Sequence, residues 1–143
     1  MINMDNAIKK VRCDNRMIYV TLDNGEVLAQ RLEIYPILFF ATQDQRNDFY
    51  VWDQGRSIRW EEIDEDICIE DLMEKDSVNY NNEVNELLSK FPFLDLKEFA
   101  NYVGMHWTKL ARFKFGVWAP SKKEFDSIKE GLHSIANELL AVV

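Results

Sequence analysis

The spacing of the apolar residues changes near residue 80, and this change constrains the fold more than any other feature. Before it, runs such as Ile8–Cys13 and Met17–Leu22 are short, partly alternating and rich in β-branched and aromatic side chains, as in strands. After it, apolar residues recur every three or four positions, as in amphipathic helices. The intervening segment 77–82 is mostly polar, so we predict a domain boundary here, giving domains 1–78 and 79–143.

The first domain is predicted to be α+β, with a small antiparallel β-sheet and short helices. Asn24 and Gly25 suit a tight hairpin turn because both tolerate positive φ, and Pro36 suits the first turn of a helix. The predicted elements are strands over 8–13, 17–22 and 26–32, a helix over 36–46, a hairpin of strands 49–52 and 57–60, and a helix over 64–75.

The second domain is predicted to be an all-α bundle of four helices. Pro92, Gly104 and Gly116 end the first three, and the box from Ser121 to Glu124 opens the last. The predicted helices cover 83–91, 95–103, 106–115 and 121–141. The apolar face of the last helix has two interpretations, core packing or, as the less favoured alternative, a dimer seam. This face consists of Phe125, Ile128, Leu132, Ile135 and Leu139.

The net charge of −8 is confined to the first part of the chain. Residues 1–80 contain nine Lys and Arg against 17 Asp and Glu, whereas residues 81–143 contain eight of each kind. An acidic protein has the wrong sign for a generic nucleic-acid binder. The acidic surface of the first domain would instead suit a basic protein partner.

No constellation of catalytic residues is apparent, and we expect no enzyme activity, no cofactor and no metal site. The only histidines, His106 and His133, lie in the second domain, and neither a glycine-rich dinucleotide motif nor a P-loop occurs. The acidic run 61–66 lacks EF-hand spacing and is interpreted as a solvated helix start.

Two cysteines, Cys13 and Cys68, lie in apolar-alternating stretches and are predicted to be buried reduced thiols. The N-terminal sequence lacks a signal-peptide core, and the longest apolar run, 34–41, is too short to cross a membrane. We therefore expect a cytoplasmic protein that does not interact with membranes.

The stretch 96–116 has the pattern of two helices that cross through a very short turn. Ala100 is small where the helices would meet, Gly104 can adopt the left-handed conformation that reverses the chain, and Gly116 ends the second helix. Five further positions are apolar: Phe99, Val103, Met105, Leu110 and Phe113. This stretch resembles the helix-turn-helix of the lambda-repressor and Cro class, and the resemblance extends over about residues 83–140, including the Pro120-Ser121 start of the next helix.

The resemblance implies that helix 106–115 is a recognition helix that enters the DNA major groove by its N-terminal part. The implied DNA-binding residues are His106, Trp107, Thr108, Lys109 and Arg112, with Lys97 and Lys114 as candidate phosphate contacts. Between residues 96 and 116 four Lys and Arg face the single acid Glu98, a local charge of +3. Where that family often has glutamines, this chain has Leu96 and Trp107.

Several of these positions have structural alternatives. Trp107 is a large aromatic that could pack against the first domain rather than meet DNA, and His106 could simply begin its helix. A helical motif of this kind could also serve only as a protein-binding scaffold, because a fold does not dictate a function.

The first domain resembles a family of small bacterial domains of unknown function over about residues 7–75. The resemblance rests on the Asn24-Gly25 hairpin and on the closing segment 58–72. That family is similar in context to antitoxin-like partners encoded beside small toxin-like proteins, and the resemblance implies no reaction.

We therefore predict a transcription regulator that binds double-stranded DNA as a homodimer through the second domain. The alternative is an antitoxin-like or adaptor module, whose helical domain does not read DNA.

Overall fold

The computed structural model describes residues 6–142 of the chain. Its contacts form two compact units, with the boundary between Ser77 and Val78. The protein has mixed α+β structure, with small antiparallel sheets and several helices.

The first unit begins with the predicted three-stranded meander. Strands β1 (Ile8–Cys13), β2 (Met17–Leu22) and β3 (Val27–Arg31) form an antiparallel sheet in the order β1-β2-β3. In the β1–β2 turn, the Asp14 carboxylate accepts hydrogen bonds from the amides of Arg16 (2.8 Å) and Met17 (2.7 Å). The three strand predictions are confirmed.

The predicted single helix over 36–46 is wrong, because two short helices occupy this region. Helix α1 is Pro36–Phe39 and helix α2 is Gln43–Asn47. The Thr42 hydroxyl accepts from the Gln45 amide (3.1 Å), and the Gln45 side chain accepts from the Thr42 amide (2.9 Å). This capping box begins a new helix and interrupts the old one.

The next three strands do not join the first sheet but form a second antiparallel sheet, in the order β4-β5-β6. It consists of β4 (Tyr50–Trp52), β5 (Ser57–Trp60) and β6 (Glu65–Cys68). The predicted hairpin β4–β5 is confirmed.

The predicted helix over 64–75 is wrong, because its first part is β6 and only α3 (Ile69–Leu72) is helical. Ile67 lies opposite Ile58 in the sheet, and both side chains are fully buried. The burial of this cross-strand pair outweighs the preference of the acidic residues for a helix start.

The core of the first unit is formed by side chains from both sheets. The largest fully buried ones on the strands are Ile18, Leu22, Ile58, Trp60 and Ile67. The Trp60 indole donates a hydrogen bond to the Arg46 carbonyl oxygen (3.0 Å).

Both cysteines of the first unit are free, but they differ in burial. Cys13 is buried as predicted, whereas Cys68 is only half-buried. Burial raises the pKa of the Cys13 thiol to about 11.

The second unit contains four helices in its described part, residues 78–142. They are α4 (Glu83–Leu88), α5 (Leu96–Tyr102), α6 (Trp107–Phe115) and α7 (Lys122–Leu140). The four predicted helices are present with slightly different ends. Their buried core consists of Val84, Leu88, Phe99, Ala100, Leu110, Phe113 and Ile128.

Within residues 6–142, no helix combines the length and the apolar character needed to cross a membrane. In the same range, no group of three or more His, Cys, Asp and Glu side chains is placed to hold a metal ion.

Candidate nucleic-acid interface

Helices α5 and α6 pack against each other at a small residue. The Asp95 carboxylate begins α5 by accepting a hydrogen bond from the Glu98 amide (2.9 Å). Ala100 on α5 and Leu110 on α6 both have no exposed surface. A larger side chain at position 100 would have to displace this packing.

The turn between the two helices depends on a left-handed glycine. Gly104 has φ +74°, and no atom beyond its two chain neighbours lies within 4 Å of the place where a Cβ would stand. The glycine is therefore needed for its backbone conformation and not for space. The Met105 amide donates to the Ala100 carbonyl oxygen (2.9 Å), which closes the end of α5.

The start of α6 is capped by a histidine. The Nδ1 atom of His106 lies 2.7 Å from the Thr108 hydroxyl and 3.3 Å from the Thr108 amide nitrogen. The His106 side chain is exposed, whereas Thr108 is 9% exposed. The Thr108 hydroxyl is therefore engaged in the cap of the helix.

The end of α6 is sealed by the segment that precedes α4. Gly116 has φ +74°, and a Cβ there would stand 1.9 Å from the Asn79 carbonyl oxygen. The Val117 amide donates to the Arg112 carbonyl oxygen (2.9 Å). The Asn82 side-chain amide donates to the backbone carbonyl oxygen of Lys114 (3.0 Å). The carbonyl groups that a helix end leaves without partners are thereby satisfied.

Lys97 and Arg112 each lie over an aromatic ring. The Lys97 ammonium nitrogen is 4.4 Å from the centre of the Trp107 ring, and the Arg112 guanidinium carbon is 4.6 Å from the centre of the Trp118 ring. The His106 and Trp107 rings are stacked, with their centres 6.5 Å apart. Such contacts restrain long side chains that would otherwise be mobile.

A third cation is held by an acid of the next helix. The Lys109 ammonium nitrogen lies 2.5 Å from a carboxylate oxygen of Glu124 on α7. This contact with Lys109, followed by the hydrogen bond from the Ser121 amide, lowers the pKa of Glu124 to about 2. Glu124 therefore carries its negative charge at neutral pH and offsets the charge of Lys109.

The predicted DNA-binding residues differ in accessibility. His106 and Lys97 are exposed, while Lys109, Arg112 and Lys114 are half-buried. The remaining two residues, Trp107 and Thr108, have structural contacts. Trp107 packs against the hydrophobic core of the second unit, and Thr108 is buried.

Two further residues shape this surface and were not among the predicted site residues. Trp118 lies under Arg112, and Glu124 neutralises Lys109. The sequence marks Glu124 only as part of a helix-capping box, and the loop position of Trp118 carries no periodic pattern that would place it.

The first part of the chain is similar to a described family of domains. Residues 8–77 match the model of the family described as "Protein of unknown function (DUF2442)". The match runs from β1 to beyond α3, so the expected resemblance to a domain family of unknown function is confirmed for this part. It does not extend into the second unit.

The chain is also similar to a solved structure of a protein of unknown function. It is a crystal structure from Rhodospirillum rubrum ATCC 11170, with 28% sequence identity and a TM-score of 0.44. The alignment covers 48% of this chain and 86% of that chain. None of the curated proteins matches the chain.

Proposed function

We propose that the protein is a DNA-binding transcription regulator whose second unit reads double-stranded DNA through a helix-turn-helix of the lambda-repressor and Cro type. The observation that carries this proposal is the pair α5 and α6, which meet at the fully buried Ala100 and are joined through Gly104 at φ +74°. A short reversal of this kind is what places a second helix so that its first turn can enter a major groove.

The charge of this region supports the proposal. Lys97, Lys109, Arg112 and Lys114 outnumber the one acid of the segment 96–116, which gives a charge of +3 in a chain with a net charge of −8. A guanine base edge could replace the Glu124 carboxylate as the partner of Lys109, since its O6 and N7 atoms are also hydrogen-bond acceptors.

The assignment of roles follows from accessibility. His106, Lys109 and Arg112 are proposed as contacts to base edges, because lysine and arginine pair with guanine in the major groove. Lys97 and Lys114 are proposed as phosphate contacts. Thr108 and Trp107 are proposed to position the start of α6, since Thr108 is bonded to the capping His106 and Trp107 packs on the core.

The proposed regulator acts as a homodimer, because one short recognition helix provides little contact with DNA. The DNA site would then be a pseudo-palindrome with half-sites about 34 Å apart, one turn of the double helix.

The test is a binding titration with the DNA that lies upstream of the protein's own gene. We expect Lys109→Ala combined with Arg112→Ala to abolish the gel shift at moderate salt. For the unmodified protein, the logarithm of the binding constant should fall linearly with the logarithm of salt concentration. Removing the proposed phosphate contacts by Lys97→Ala with Lys114→Ala should reduce this slope by about 2 per protomer.

The matched control removes two cations from exposed positions of β1, Lys9→Ala with Lys10→Ala, and should leave the shift in place. All the double variants are first compared with the unmodified protein by thermal unfolding. An undiminished shift with the Lys109/Arg112 variant would refute the groove assignment.

A second candidate function is a protein-interaction module of the antitoxin or adaptor kind. The observation that favours it is on the first unit, where the three consecutive residues of β4 are all at least 40% exposed in a strongly acidic domain. Absence of DNA binding even at low salt would favour this candidate over the regulator.

A further inference from the structure

We propose that the second sheet of the first unit binds an extended, arginine-rich segment of a basic partner protein. The surface concerned, called the outer face below, consists of Tyr50, Trp52, Arg59 and Asp66 together with the adjoining Glu61 and Asp64. This inference rests on the interaction role given above as the second candidate function, and it does not depend on DNA binding.

The register of the sheet brings these side chains to one side. Tyr50 lies opposite Arg59, which lies opposite Asp66 on the third strand. Trp52 is two residues from Tyr50 on the same strand, and alternate residues of a strand share a face. The intervening row of β5 and β6, Ile58 and Ile67, is fully buried, so the opposite side of these two strands faces the core.

The outer face carries large aromatic surface at a sheet edge. Strand β4 is an edge strand, and Tyr50 and Trp52 are each 47% exposed. A single exposed apolar residue is ordinary on a protein surface, whereas here two half-exposed aromatic rings stand at alternate positions of one edge strand. An edge strand also allows an extended segment to lie alongside it.

The charge of the outer face is negative. Three carboxylates share one guanidinium: Arg59 contacts Asp66 at 2.7 Å, Asp64 at 2.8 Å and Glu61 at 3.3 Å. These four side chains have a formal charge of −2, and the Asp64 side chain is 86% exposed. The face therefore repels anionic polymers and attracts cationic ones.

A hydrogen bond fixes the orientation of the Tyr50 ring beside these acids. The Tyr50 hydroxyl donates to a Glu61 carboxylate oxygen at 2.5 Å. This hydrogen bond, together with that from Arg59, lowers the pKa of Glu61 and keeps the carboxylate charged at neutral pH. The ring and the carboxylate thus present a π surface and a negative charge side by side.

This combination favours arginine over other side chains. A guanidinium can stack on the Tyr50 ring and at the same time bind a neighbouring carboxylate through two N–H groups, whereas a lysine ammonium is a compact point charge. The Trp52 ring offers a second stacking surface two residues along the same strand. The partner expected from this chemistry is a protein with a flexible or edge-strand segment that presents several arginines.

The experiment uses isothermal titration calorimetry on the full-length protein with a synthetic decapeptide of alternating Arg and Ser. We expect binding at low salt, weaker binding of the corresponding Lys-Ser decapeptide, and none of the Glu-Ser decapeptide. Tyr50→Ser combined with Trp52→Ser should weaken binding of the Arg-Ser peptide by about tenfold.

A matched control replaces two other exposed apolar residues of the same unit, Val27→Ser with Met73→Ser, and should leave the affinity unchanged. A single, more conservative substitution tests the proposal even if the Tyr50/Trp52 double variant fails to fold. Asp64→Asn preserves the side-chain shape at a residue with φ +54°, which asparagine tolerates, and should weaken binding more than Asp23→Asn does.

Equal affinity of the unmodified protein and the Tyr50/Trp52 variant would overturn the proposal, and so would equal affinity for the Arg and Glu peptides. The outer face could instead be occupied by a second copy of the chain. Sedimentation velocity would then show a dimer for the unmodified protein and a monomer for the Tyr50/Trp52 variant, and no peptide would bind. That result would also overturn the proposal. The Lys109/Arg112 variant should bind the peptide normally, so failure of the DNA proposal and failure of this one are distinguishable.

Discussion

The two glycines that flank α6 share a backbone conformation but differ in their surroundings. Gly104 and Gly116 both have φ +74°, yet only at Gly116 would a Cβ collide with backbone, 1.9 Å from the Asn79 carbonyl oxygen. The pair therefore separates two physical effects that glycine substitutions usually combine. One is the cost of a left-handed conformation and the other is the cost of a steric clash.

Alanine substitutions at these positions should have unequal effects on stability. We expect Gly104→Ala to lower the free energy of unfolding by about 1 kcal/mol, the cost of a left-handed residue with a Cβ. Gly116→Ala should cost about 2 to 5 kcal/mol, because the segment before α4 must also move. Urea denaturation measures both, and equal losses would show that the clash is relieved without cost.

At the scale of single elements, the long helix α7 begins with a capping box that is also an ion pair. Glu124 accepts from the Ser121 amide at 2.9 Å and contacts Lys109 of α6 at 2.5 Å. One carboxylate therefore caps its own helix and ties that helix to the neighbouring one. Its lowered pKa makes this contribution dependent on pH.

The stability contributed by Glu124 should be lost in acid. Its pKa in the folded protein is about 2 and its ordinary value is 4.5, so the contribution is present above about pH 4.5 and falls as the pH decreases towards 2. Glu124→Gln retains an oxygen for the Ser121 amide but not the charge. We expect this variant to be less stable than the unmodified protein at pH 6.

The check on this expectation is the difference in urea midpoint between the two proteins at several pH values. The difference should shrink steadily below pH 4.5 and vanish near pH 2. A difference that stays constant with pH would show that the charge of Glu124 contributes nothing to folding.

The errors in predicting elements have a common physical origin. Over 64–75 the acidic residues and apolar spacing indicate a helix, but Ile67 gains more by lying opposite Ile58 in a sheet. Over 36–46 the apolar run indicates one helix, but the Thr42 and Gln45 box begins another. In both places the secondary structure was determined by a specific contact between side chains or with the backbone, which the apolar periodicity does not reveal.

At the scale of the whole molecule, charge is distributed unequally between the two units. The net charge of −8 lies in residues 1–80, and the remainder of the chain is neutral. Mutual repulsion of like charges destabilises a compact unit, and salt screens it over a distance of about 10 Å at 0.1 M. The two units should therefore respond differently to ionic strength.

We expect added sodium chloride to stabilise the first unit selectively. In hydrogen-exchange mass spectrometry of the intact chain, amides of β5 and β6, which flank the acidic run 61–66, should become better protected between about 20 and about 300 mM salt, since the Debye length falls below about 8 Å. Amides of α6 and α7 should change little. An equal gain of protection in both units would contradict the assignment of the repulsion to the first unit.

The candidate DNA interface was only partly predictable from sequence. The positions of Ala100, Gly104 and Gly116 follow from spacing, because two helices that cross through a short turn need small or left-handed residues at those points. The accessibility of the predicted contact residues could not be predicted from this spacing. Thr108 has the residue type of a base contact, but its hydroxyl is engaged with His106, and Lys109 is neutralised by an acid 15 residues later in the chain.

The sequence by itself determined the division into a strand-rich, acidic part and a helical part, because apolar periodicity and charge are local properties of a chain. It also determined the meander β1–β3 and the positions of α4 to α7, whose turns and caps are encoded within a few residues. The tertiary structure alone decided that residues 65–68 form a strand and that Arg112 lies over Trp118. It also decided that Tyr50 shares a sheet face with Asp66 and donates a hydrogen bond to Glu61. Such outcomes depend on contacts between residues distant in sequence, whose energies no local pattern contains.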